Sequence, residues 1–98
     1  MKTLEQIMEN LKGNPSPGEL SEMLQWLSAE YAFCATQIEQ ILIRKPDIWL
    51  TLKQSSKSDS ETDRKWERSE DGKNEIGYRW RLKALEKMMS AIKTRIRV

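Results

Sequence analysis

The sequence predicts an all-α fold: an antiparallel hairpin of two long helices with a short N-terminal helix, open to completion as a bundle by oligomerisation. Three observations carry that prediction. Two heptad seams of similar length run along the chain, a capping box opens the first, and a short polar loop separates them.

The elements follow in order. Leu4, Ile7, Met8 and Leu11 recur at helical spacing and predict a short amphipathic helix over about 3–12, ended by Gly13-Asn14-Pro15. Ser16-Pro17-Gly18-Glu19 then reads as a capping box, with proline at the first helical position and glutamate at the third. From it a long helix is expected over about 17–53. Its seam is Leu20, Leu24, Leu27, Tyr31, Cys34, Ile38, Ile41, Lys45, Ile48 and Leu52, which alternates steps of four and three. Pro46 lacks a backbone donor, so a kink or short break is expected near 42–45.

Residues 54–60 read as the connecting loop, with Ser58 and Glu61, or Ser60 and Asp63, able to cap a second long helix over about 61–97. Its first half is almost all charged around Trp66. Gly72 and Gly77 each cost about 1 kcal/mol against alanine in a helix interior, so a weak point or a break is expected near 71–77. The second seam, Tyr78, Leu82, Leu85, Met89, Ile92 and Ile96, completes the helix. One helical domain over 1–98 is the expected organisation.

Composition narrows the function. The chain has no histidine, so it lacks the commonest general base and the commonest metal ligand. Cys34 is the single cysteine and sits on the core seam, as a small apolar residue would. No P-loop, glycine-rich dinucleotide loop, paired-cysteine zinc spacing or nucleophile with an adjacent base is present. The carboxylates Glu67, Glu70, Asp71 and Glu75 alternate with Arg64, Lys65, Arg68 and Lys73, as on a solvated helix face. A non-catalytic protein without metal or cofactor is expected. No apolar run approaches the roughly 20 residues that span a bilayer, and residues 1–11 are too polar for a signal peptide, so a cytoplasmic protein is expected.

Two candidate surfaces remain. Counting about 100° per residue puts Trp66, Trp80, Ala84, Met88 and Ala91 on one face of the last helix. Trp26, Ala29 and Phe33 lie on the flank of the first long helix. Trp26, Phe33, Trp66, Trp80 and Met88 are therefore the candidate partner-binding residues, in keeping with the enrichment of tryptophan at interfaces. A basic face holds Arg79, Lys83, Lys87, Lys93 and Arg97 and could contact nucleic acid or an acidic partner, although the net charge is only +2. The surplus of apolar faces also predicts self-association, a dimer first.

The second half resembles small, uncharacterised early-region proteins of tailed bacteriophages. The likeness lies in Asp47-Ile48-Trp49-Leu50 before a polar turn, in Asp63-Arg64-Lys65-Trp66, and in the tail from Leu82-Lys83-Ala84-Leu85 to Ile92-Lys93-Thr94-Arg95. It spans about 48–98, while the N-terminal third and the two glycines of the last helix depart from it. The resemblance implies a phage accessory role in the host cytoplasm, assisting phage DNA metabolism or blocking a host defence system such as a CRISPR effector. The expected function is thus a binding protein acting on a macromolecular partner, most concretely as a host-defence inhibitor. Two alternatives stand beside it. One is a single-strand nucleic-acid-binding or recombination accessory protein using the basic face. The other is a structural homo-oligomer.

Overall fold

The computed structural model describes residues 4–97, with the backbone alone at Leu4, Asn10 and Arg97. Four helices follow in chain order: α1 (Leu4–Lys12), α2 (Pro17–Lys53), α3 (Asp59–Arg68) and α4 (Glu70–Arg97). Among the described residues there is no strand. The fold is an all-α helical hairpin in which the two long helices, α2 and α4, pack on each other. No helix among the described residues is long and apolar enough to cross a membrane.

Local chemistry accounts for the helix ends. Asn14, the only described non-glycine residue in the left-handed region (φ 54°), turns the chain after α1. Ser16 starts α2: its Oγ accepts the Glu19 N–H and donates to Glu19 Oε1, both at 3.2 Å. Pro46 stands inside α2, which runs on to Lys53 without a break. Every residue of the α2 seam is buried or half-buried. Ser58 caps α3 by accepting the Glu61 N–H at 3.2 Å, while Glu61 Oε2 accepts the Lys57 N–H at 2.9 Å.

The expected single helix over 61–97 is instead two helices parted at Ser69. This residue ends α3 and begins α4. Its N–H donates to the carbonyls of Lys65 (3.1 Å) and Trp66 (3.0 Å), and its hydroxyl accepts the Gly72 N–H at 3.1 Å. With φ −70° and ψ 162°, Ser69 is extended, and the chain changes direction there. The break falls before the glycines, and Gly77 lies in uninterrupted helix.

The chain forms two compact units. One comprises residues 1–32 and 84–98, with Ile7, Leu20, Met23, Leu27, Leu85 and Ile92 buried at its centre. In it the Arg95 guanidinium donates to the Leu11 carbonyl at the end of α1, and the Tyr31 hydroxyl donates to Glu86 Oε1 at 3.0 Å. That bond, with the Glu86 charge, raises the Tyr31 pKa above the ordinary phenol value.

The other unit, residues 33–83, has Cys34, Ile38, Ile41, Thr62 and Trp66 buried. Here α2 and α4 run antiparallel. Phe33 meets Tyr78 edge-on with ring centroids 6.3 Å apart, while Arg44, further along α2, pairs with Asp71, earlier in α4. The Arg44–Asp71 pair is bidentate, at 3.1 and 3.2 Å, and its hydrogen bonds raise the arginine's pKa above its ordinary value.

Candidate partner-binding surfaces

Unit 33–83 carries most of the large apolar side chains left in solvent: Phe33, Leu42, Ile43, Leu50, Ile76 and Trp80. They arise because a helix seam buries only one stripe. On α2, Leu42 and Ile43 follow the buried Ile41 around the helix, and Leu50 lies beyond Trp49.

Leu42, Pro46, Trp49 and Leu50 recur at helical spacing and line an open groove of about 520 Å³, with Lys45 and Asp63 at its edges. Its walls are fixed. The Trp49 indole N–H donates to Asp63 Oδ1 at 2.9 Å, which ties α2 to α3. Lys53 Nζ lies 5.2 Å from the Trp49 ring centroid, and Lys45 Nζ lies 5.2 Å from that of Trp66. The groove therefore presents an apolar floor beside the Trp49–Asp63 hydrogen bond, with one cation and one anion at its edges. Sequence reading did not name Leu42 or Leu50 as partner-binding residues, although Leu42 and Trp49, seven residues apart, were the available signal.

Trp66 does not join the sequence-predicted apolar face, whereas Trp80, Ala84, Met88 and Ala91 all stand on the one helix α4. Trp66 is a core residue, only 4% exposed, beneath Lys45. Its placement beside Trp80 came from counting helical phase through Ser69, where the helix is broken. Trp80 is 67% exposed, and Lys83 Nζ lies 5.1 Å from its ring centroid. Phe33 is exposed against Tyr78. Trp26 and Met88 belong to the other unit and are half-buried, and the Trp26 indole nitrogen has no hydrogen-bond partner among the described residues.

The basic face divides as well. Lys83, Lys87 and Lys93 are exposed, whereas Arg79 is tied to Glu75 at 3.2 Å, one turn earlier on α4. Lys93 lines a shallow pocket of about 220 Å³ with Tyr31, Glu86, Met89 and Ser90. The Arg97 side chain lies outside the described residues. Of the carboxylates between 67 and 75, Asp71 is held by Arg44 and Glu75 by Arg79, which makes them structural ion pairs. Cys34 is buried.

No family model, curated protein or solved structure matches the chain significantly. The surfaces themselves thus carry the functional argument. An apolar groove and exposed aromatic side chains are suited to holding another macromolecule.

Proposed function

We propose that this chain is a non-catalytic interaction protein that receives an apolar segment of a partner protein in the Leu42–Pro46–Trp49–Leu50 groove. The observation that carries the reading is the groove's floor, left open to solvent on a frame pinned by the Trp49–Asp63 hydrogen bond. Interfaces draw most of their energy from a few aromatic and aliphatic anchors in such preorganised pockets. With the resemblance to phage early-region proteins, the most concrete role is inhibition of a host-defence complex of the CRISPR type, in the cytoplasm of the infected cell. Asp47-Ile48-Trp49-Leu50, one of the segments behind that resemblance, supplies two groove residues.

A tagged chain and its Leu42→Glu variant, expressed in a host with an active CRISPR system, test the proposal. The parent should protect an incoming target plasmid and retain a defence component that the variant loses. Full interference in the presence of the parent chain would remove the defence role. Equal capture by both chains would remove the groove.

A second reading, nucleic-acid binding, has one observation in its favour: Trp80 stands exposed with Lys83 beside it. Against it, Arg79 is engaged with Glu75 and the chain's net charge is only +2.

A further inference from the structure

Within unit 33–83, the outward side of α4 is basic, apolar and free of acids. At about 100° per residue, the residues of this unit within about 60° of Trp80 are Lys73, Ile76, Gly77 and Lys83. All are exposed, as Trp80 is. Tyr78 and Leu82, on the opposite side of the helix, are half-buried, so this strip is not an extension of the packed seam. Lys73 and Lys83 bracket its apolar part from ten residues apart, or about 15 Å along α4.

Two observations mark the strip as a docking face. The first is charge without an answer in the chain. Among the described residues, Lys73 and Lys83 form no ion pair, and Lys83 only lies over its neighbour Trp80. The second is Gly77, which costs about 1 kcal/mol against alanine in mid-helix. A Cβ there would meet nothing within 4 Å, so no packing within the chain calls for the glycine. What it provides is a notch beside Trp80, where another backbone can approach closely.

We infer that this strip receives an acidic helix of a partner protein. Laid along α4 at the shallow crossing of about 20° common to packed helices, that helix sets its backbone against the Gly77 notch. Its apolar residues cover Ile76 and Trp80, and two carboxylates about three turns apart reach Lys73 and Lys83. A phosphodiester strand is the competing acidic occupant. Two free lysines neutralise few phosphates, however, and the neighbouring Arg79 is tied to Glu75. The strip shares no residue with the groove at Trp49, and the two surfaces can fail separately.

Fluorescence anisotropy of a labelled synthetic helical peptide with the full-length chain is the test. The peptide carries two glutamates about three turns apart, with leucine and alanine between them on the same face. The parent should bind it, more weakly as salt rises. Lys73→Glu with Lys83→Glu should raise the dissociation constant at least ~tenfold, which corresponds to about 1.4 kcal/mol. A peptide with lysine in place of both glutamates should then bind that double variant in turn. Gly77→Leu, which fills the notch, should weaken binding at least as much, while Leu42→Glu in the groove should leave it unchanged. Circular dichroism should show the parent's helix content in each variant. No binding by the parent at high micromolar concentration, indifference to the lysine reversals or to Gly77→Leu, or loss with Leu42→Glu would overturn the inference. So would tighter, lysine-dependent binding of a single-stranded oligonucleotide, which would assign the strip to nucleic acid.

Discussion

The carbonyl oxygen of Trp66 lies 1.8 Å from where a Cβ on Gly72 would stand. No side chain can occupy that space, and the obstacle is backbone, which cannot rotate aside. Gly72 sits three residues into α4, where the chain folds back over the end of α3. Gly72→Ala should therefore force the corner open and cost about 1–3 kcal/mol or more. Gly77→Ala meets open space in mid-helix and should stabilise the chain by about 1 kcal/mol. Urea unfolding of the two variants against the parent checks the opposite signs.

Trp66 and Trp80 make a second contrasting pair. Trp66 is sealed under Lys45 in the core of its unit, so Trp66→Ala should cost about 3–5 kcal/mol. Trp80 projects into solvent from the same chain, and Trp80→Ala should change the stability of the dilute monomer by no more than about 0.5 kcal/mol. Thermal unfolding at low protein concentration measures both. Similar losses for the two would mean that Trp80 packs within the chain.

That contrast also shows how far the sequence could be read. The α2 seam was legible because Leu20, Leu27, Cys34 and Ile41 keep strict heptad spacing, and Ser16 and Glu19 announce its start. The break at Ser69 was not read, although Ser69-Glu70-Asp71 carries a helix-start signature: a capping hydroxyl followed by acids in the first turn. The charged stretch around Trp66 has no seam whose phase could reveal the break, the glycines drew the expected weak point to 71–77, and one misplaced turn sent Trp66 to the wrong face. The groove was hidden for the same reason. Its wall depends on Asp63 reaching Trp49, which requires α3 to lie as a separate helix against α2.

Glu61 sets the acid limb of stability at the α2–α3 corner. The Lys57 backbone N–H holds its carboxylate below the ordinary glutamate pKa, and the nearby Lys65 charge adds to this while partial burial opposes it. A carboxylate with a lowered folded pKa contributes stability that is fully present above its unfolded value. That contribution is lost as pH falls through the folded one. The parent should thus outlast Glu61→Gln in melting temperature near neutrality, and the gap should close as the solution is acidified below the ordinary glutamate range. A gap that persists unchanged into strong acid would show that the carboxylate charge contributes nothing.

Which surface meets the partner can be decided by setting the groove against the basic residues of α4. If the groove receives an apolar anchor, Leu42→Glu places a charge where that anchor must be desolvated, and affinity should fall by about 2 kcal/mol or more, roughly thirtyfold. Leu42 is exposed and off the buried seam, so the variant should still fold, which circular dichroism would verify. Reversing Lys83 and Lys87 to glutamate should then mainly slow association and soften its salt dependence, because exposed charges steer encounter more than they hold a complex. Nucleic-acid binding predicts the reverse ranking. Affinity would fall steeply with salt as counterions are released, the lysine reversals would weaken every sequence alike, and Leu42→Glu would change little. Trp80→Ala would further remove a stacking contribution of about 1–3 kcal/mol per base. Submicromolar binding of the purified chain to single-stranded DNA or RNA at physiological salt, lost with the two lysines and kept with Leu42→Glu, would move the functional surface from α2 to α4.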